Sequence, residues 1–135
     1  MSATIPASHA DLLSREKKAF ASLALVMAKG EPHVTPIWFD YDGENIILNT
    51  ARGRVKDKIM SKHPVVALAV ADPANPYRYI QIRGPVVFES DQGEFGYPQI
   101  SKLNEKYQGS PAYPKRPGEV RVTFKVRPEH VNTMG

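Results

Sequence analysis

A chain of 135 residues, 41% hydrophobic and 24% charged, has the size and balance of one folded domain spanning residues 1–135, and is too short for two independent cores. The formal net charge of +4 and a pI near 9.4 favour an anionic partner, be it nucleic acid, an acidic membrane or a phosphorylated small molecule. The absence of cysteine excludes disulfides, thiolate nucleophiles and thiolate metal sites.

Further classes drop out on pattern. His9, His33, His63 and His130 lack the i, i+4 pairing of a helical zinc site, so no metal is expected. No apolar run approaches the roughly 20 residues of a membrane helix, and the first residues lack a secretory pattern. A soluble cytoplasmic protein, with no membrane partner, is expected. No helix-turn-helix, zinc finger or basic stripe with stacking aromatics is present, so nucleic acid is not expected either.

In chain order, Ser8 to Glu16 reads as a short helix with Ser8 at its N-cap. Phe20 to Met27 is an apolar strand stopped by Gly30 and Pro32. His33 to Tyr41 is a β-branched and aromatic strand, and Asp42-Gly43 turns it into a third strand over residues 44–50. Pro36 cannot donate a ladder hydrogen bond, which implies an edge, a bulge or a backbone opened for a ligand. A helix from Arg54 turns Val55, Ile59 and Met60 inward and Lys56, Asp57, Lys58 and Lys62 outward, and Pro64 closes it. Val65 to Ala71 is a central strand buried on both faces, and Asp72 to Pro76 a loop. Tyr77 to Glu89 is one long strand bent at Gly84. A partly helical segment over residues 91–108, with Phe95, Ile100, Leu103 and Tyr107 as its apolar contacts, and a proline-rich loop over residues 109–118 precede the strand Val120 to Val126, whose even residues share one face. Six antiparallel strands with short flanking helices make a mainly β domain, a closed or nearly closed barrel.

The stretch Asn49-Thr50-Ala51-Arg52-Gly53-Arg54-Val55-Lys56-Asp57-Lys58 sets four cationic side chains where a strand hands over to a helix. Unpaired N–H groups at a helix start carry partial positive charge, so cations there complete a pocket for phosphate or carboxylate. A solvated basic turn is the equal alternative on spacing alone.

Three segments together carry a family resemblance: Gly30 to Phe39, Asn49 to Lys56, and Asp72 to Tyr79 running into Arg83-Gly84. In this order they resemble the FMN-binding-like split β-barrel oxidoreductases, the flavin and deazaflavin group that includes pyridoxamine 5′-phosphate oxidase-like proteins. Thr-Ala-Arg-Gly-Arg-Val-Lys with a later Asn-Pro-Tyr-Arg-Tyr looks most like the branch using coenzyme F420, a deazaflavin with a phosphate and an oligoglutamate tail; FMN is the alternative cofactor. The resemblance implies hydride transfer between reduced F420 and a conjugated small organic substrate; an FMN-dependent oxidase or reductase, or a non-catalytic flavin or heme carrier, are the other readings. It implies that Arg54 and Lys56 grip the phosphate beside Asn49 and Thr50, and that Pro36, Ile37 and Trp38 flank the ring. Arg52, Lys58 and Arg78 are its candidates for the tail. Family members are homodimers with cofactor sites at the interface, where Tyr77, Arg78 and Tyr79 would complete the neighbour's site. The chemistry belongs to the cofactor and the catalytic side chain is unknown; Tyr79 or a bound water is a conceivable proton donor to the reduced product. The chain departs from many relatives in carrying Ile59-Met60 where they have Asn-Leu.

Overall fold

Alternation with period two places one face of each strand inward. In the computed structural model, which describes residues 2–135, β1 (Ala21–Val26) buries Ala21, Leu23 and Leu25. Strand β5 (Val65–Asp72) buries Val66, Leu68 and Val70 and leaves Val65, Ala69 and Ala71 exposed. It is central, between β1 and β6 (Asn75–Ser90), but the expectation that both its faces are buried is not met: among the described residues nothing covers its outer face.

The other strands are β2 (Pro32–Ile37), β3 (Phe39–Tyr41), β4 (Ile46–Ala51), β7 (Arg121–Val126) and β8 (His130–Met134). Together the strands form one antiparallel sheet in the order β2-β1-β5-β6-β7-β4-β3, with β8 added on β6. The first part of β6 pairs with β5 and β8 and its last part with β7, so this 16-residue strand belongs to both halves of a split barrel. The bend falls where the sequence marks it. A Cβ on Gly84 would lie 1.7 Å from the Arg127 carbonyl oxygen, and the β6–β7 register shifts between Val86 and Phe88. Gly84 thus lets the chain leaving β7 cross directly over β6.

Eight strands replace the expected six. One extra is β8, which lacks a period-two apolar pattern because it covers an edge with mostly exposed residues. The other arises because the second expected strand breaks at Trp38: β2 pairs with β1, whereas β3 pairs with β4, so the two halves of that run lie in different parts of the sheet. The Asp42-Gly43 turn forms, with Asp42 Oδ1 accepting from the N–H groups of Glu44 (2.9 Å) and Asn45 (2.6 Å). Asp72 to Pro76 is a tighter reversal than a loop, since Asn75 already pairs with Asp72. At the N-terminus a 3-10 turn, Ala7–Leu13, stands in place of the expected helix and has no side-chain cap; Leu12 and Leu13 anchor it in the core.

The break at Trp38 is held by helix α2 (Tyr97–Gln108). Phe39 N–H donates to the Tyr107 hydroxyl (3.3 Å), which itself donates to the Ala19 carbonyl (2.7 Å). The Phe39 carbonyl accepts from Lys106 Nζ at 2.7 Å. Trp38 stacks on the Tyr107 ring, with centroids 5.2 Å apart. Lys106 is 4% exposed and lies over the rings of Phe39 and Tyr107. Burial pulls its pKa down to about 8, against the attraction of Asp40, and burial pushes the Tyr107 hydroxyl up to about 12.

Two outcomes are expected. Gly84→Ala should cost more than ~3 kcal/mol in urea unfolding, because a Cβ there meets backbone and not a movable side chain; a loss under about 1 kcal/mol would contradict the crossing. The depressed Lys106 pKa means that the unfolded chain holds a proton the folded chain has lost between about 8 and the usual lysine value. Stability should therefore rise with pH from about 8 and turn down above about 10, where an unfolded tyrosine ionises first. Lys106→Met should flatten the rise in denaturant midpoints measured from pH 7 to 10.

Candidate functional site

The divergence of β2 from β3 opens a cleft of about 240 Å³. One wall is Pro36, Ile37 and Trp38; the floor is Asn49 and Thr50 of β4 with Arg121 of β7; Arg54 and Lys56 stand at one end; Ile100 and Leu103 of α2 and Tyr113 of the following loop close the other side. Asn49 and Arg121, 72 positions apart in sequence, meet here because β4 and β7 are paired neighbours, with Ala51 opposite Arg121.

The cations of residues 52–58 divide by their partners. Arg52 turns away from the cleft: Nη1 donates to Asp57 Oδ1 (2.9 Å) and Glu89 Oε2 (2.6 Å), and Nε to Asp91 Oδ2 (3.1 Å). Burial works against its charge, but these bonds outweigh it and raise its proton affinity further. Asp57 also accepts from Gly53 N–H at 2.8 Å. The residue expected to face water is therefore 8% exposed, and it fixes the start of α1 (Val55–Met60). In that helix Met60 is fully buried, while Val55 is exposed.

Lys56 makes no hydrogen bond or ion pair among the described residues, and burial together with the nearby Arg54 lowers its pKa. Arg54, half-exposed, has Glu119 Oε2 at 3.5 Å. Lys58 points to the opposite side of α1, into a separate apolar cleft with Val26, Met27, Val55 and Ile59. Tyr77, Arg78 and Tyr79 lie at the start of β6 and do not line the cleft of their own chain. Arg78 is bound to Asp11 Oδ1 (2.5 Å), Asp72 Oδ2 (3.0 Å) and the Ser8 carbonyl (2.6 Å), which ties the N-terminal turn to the β5–β6 reversal. Its hydrogen bond holds Asp11 down at about 2. Tyr77 is 83% exposed.

Four lining residues were not foreseen from the sequence: Ile100, Leu103, Tyr113 and Arg121. Ile100 and Leu103 were expected only as packing contacts of the 91–108 segment. Tyr113 is placed by α2, whose Tyr97 hydroxyl donates to the Tyr113 carbonyl, whose Ser101 hydroxyl donates to the Pro111 carbonyl, and whose Asn104 Nδ2 donates to the Ser110 carbonyl (2.6 Å). The spacing 97, 101, 104 is one polar helix stripe, and it was the available signal. Arg121 occupies what period two marks as the outer face of β7, yet it is 6% exposed. Of the even positions, Val122, Phe124 and Val126 are buried, and Val120 lies outside the strand and is exposed.

Arg121 Nε donates to Asn49 Oδ1 at 2.9 Å, and Tyr113 covers the guanidinium. Its Nη1 is buried without a hydrogen-bond partner, the nearest acid being Glu119 Oε1 at 3.6 Å. Burial lowers its pKa. Buried polar groups are nearly always satisfied, so an unspent guanidinium N–H beside an unpaired lysine fits a ligand that brings its own anionic oxygen atoms. The apolar residues Ile37, Trp38, Ile100 and Leu103 suit a flat conjugated body attached to them.

No described helix is long and apolar enough to cross a membrane. Residues 6–135 match the family model described as pyridoxamine 5′-phosphate oxidase. A solved structure named F420 reductase is 32% identical, with a TM-score of 0.81 over 95% of this chain and 98% of that one. HupZ from Group A Streptococcus (19% identity, TM-score 0.69, 96% and 94% covered) and a putative pyridoxamine 5′-phosphate oxidase from Listeria innocua (14%, 0.71, 93% and 94%) share the fold. No curated protein matches. With a cationic cleft at the divergence of β2 and β3 and a family match over nearly its whole length, the chain belongs to the pyridoxamine 5′-phosphate oxidase family of split β-barrel, flavin-type oxidoreductase folds.

Proposed function

We propose that the protein is an F420-dependent oxidoreductase acting on a conjugated small organic substrate. The observation that carries this reading is the unspent cationic capacity of the cleft, Lys56 without a counter-ion and Arg121 Nη1 without a partner, directly beside an apolar wall. The similarity to a solved protein named F420 reductase supports the choice of cofactor.

Arg54 and Lys56 bind the phosphate through charge-assisted hydrogen bonds, with Thr50 in the floor beside them. Ile37 and Trp38 hold the tricyclic ring on one side, and the Tyr107 stack keeps the indole from swinging away. Pro36, on the edge strand β2, offers no N–H to compete for a ligand acceptor. The bound deazaflavin supplies hydride transfer, so the protein's part is to orient the ring against the acceptor and exclude water.

A single protomer offers about 240 Å³, below the roughly 300–1,000 Å³ typical of a small-molecule pocket. A second copy of the chain completes it. The outer face of β1, β2 and β5 is rich in exposed apolar side chains: Ala24 sits opposite both Val34 and Ala67, and Val26, Val34 and Val65 are each more than 60% exposed. Such a face suits a homodimer interface. Val34→Glu should shift sedimentation from dimer to monomer, and a wild-type protein that sediments as a monomer at micromolar concentration would remove this part of the reading.

Side-by-side fluorescence titration with F420 and FMN tests the cofactor. Tighter binding of F420 is expected; preference for FMN would assign the protein to FMN chemistry on the same site. Replacing Arg54 and Lys56 together by Ala should weaken cofactor binding by about 3–6 kcal/mol, at 1.5–3 for each charged hydrogen bond lost. Unchanged affinity in that double variant would sink the phosphate assignment.

A further inference from the structure

Glu119 sits inside the cationic cluster it would be expected to weaken. One of its carboxylate oxygens lies 3.6 Å from Arg121 Nη1 and the other 3.5 Å from Arg54 Nη2. The Glu119 side chain is 12% exposed, and the residue's backbone N–H donates to the Arg116 carbonyl at 3.1 Å. It follows Gly118, whose φ of +75° turns the end of the proline-rich loop back toward the site. Neither contact is a hydrogen bond: the ion pairs are loose, and Nη1 of the buried Arg121 stays unsatisfied. A carboxylate that neutralises two guanidinium groups without bonding fully to either marks a place where a better oxyanion fits.

We infer that Arg121 is a third ligand-binding cation of this cleft and that Glu119 is its internal place-holder, bridging Arg54 and Arg121 until the ligand's phosphate takes over that position. This rests on the reading of the cleft as an anion site and goes beyond it by adding the residue that reads the phosphate from the β7 side and the residue that sets its affinity. The geometry favours a phosphate over a carboxylate. A tetrahedral oxyanion has oxygen atoms enough for Arg54, Lys56 and Arg121 at once, whereas a carboxylate has two, as Glu119 itself shows by reaching Arg54 and Arg121 and leaving Lys56 unpaired. With Glu119 in place the four side chains sum to two positive charges, and with it turned to solvent the ligand meets nearly three. The place-holder thus keeps three cations from repelling one another in the free protein, at the expense of affinity.

The test is isothermal titration of the intact protein with inorganic phosphate and, separately, FMN and F420, at fixed ionic strength. Glu119→Gln, similar in shape but uncharged, should bind phosphate about tenfold tighter, the effect of removing one nearby like charge from a partly screened site. Glu119→Asp, which keeps the charge, should stay near wild type, and Arg121→Gln should bind about tenfold more weakly. Thermal unfolding of each variant establishes that it is folded. If Glu119→Gln binds no tighter than wild type, or neither binds phosphate, the place-holder is overturned; weaker binding would make Glu119 a support for the arginines instead. Wild type that binds F420 through Arg54, with no gain in Glu119→Gln, defeats this inference alone. A gain for phosphate with no binding of either cofactor defeats the proposed function alone.

Discussion

The hydrogen bonds that α2 makes to the backbone of Phe39 are the constraint on which the site depends. A strand that leaves one sheet half for the other must abandon its ladder for a residue, and a buried N–H or carbonyl left unpaired there costs on the order of 1–3 kcal/mol. Tyr107 takes the N–H and Lys106 the carbonyl. The chain can therefore run as β2 up to Ile37 and resume as β3 at Phe39, and the gap between those directions is the cleft. The ammonium is buried to do this. Its low proton affinity measures what that burial costs, and two aromatic faces and the Asp40 carboxylate offset part of it.

The same helix serves the site from a second face. Tyr97, Ser101 and Asn104 hold the carbonyls of the proline-rich loop, and Ile100 and Leu103 enter the cleft between the two sets of contacts. Prolines reduce the freedom the loop has to lose, so three side-chain bonds suffice to set Tyr113 over Arg121. One short amphipathic element thereby controls the Trp38 wall, the apolar side made by Ile100 and Leu103, and the Tyr113 cover, which couples the shape of the site to the packing of α2 more than to any single strand.

Much of the barrel was legible because its strands alternate. Val122, Phe124 and Val126 are buried where period two puts them, the unbroken apolar run of β5 hid that only Val66, Leu68 and Val70 of its apolar residues face the core, and the bend at Gly84 shows as a glycine within an otherwise unbroken strand. What escaped depended on long-range contacts. Nothing local says that Ile37 and Phe39 pair with different partners, because both are good strand residues and the reason lies in Lys106 and Tyr107. Strand β8 is an exposed cover on β6, so its sequence has no buried face to betray it. Arg121 reads as a solvent-facing residue on an alternating strand, and only the loop folded over it by α2 makes it buried.

The cations of residues 52–58 show how far charge in a sequence is from charge at a site. Arg52 and Arg54 differ by two positions and by nothing in type, yet Arg52 is held by Asp57, Glu89 and Asp91. With that much acid against it, its charge is already spent on fixing α1. Lys56 has none, and Arg54 shares one loose carboxylate. A ligand anion is drawn to charge that the fold has left uncompensated, so acidic partners decide the availability of Arg52, Arg54 and Lys56, while Lys58 is removed by its position on the other side of α1. Those partners come from β6, α1 and the loop before β7, elements brought together only by the sheet order. Under the proposed function the basic stretch is an anion site shaped by its acids: Asp57, Glu89 and Asp91 neutralise Arg52, and Glu119 sets the strength of what remains.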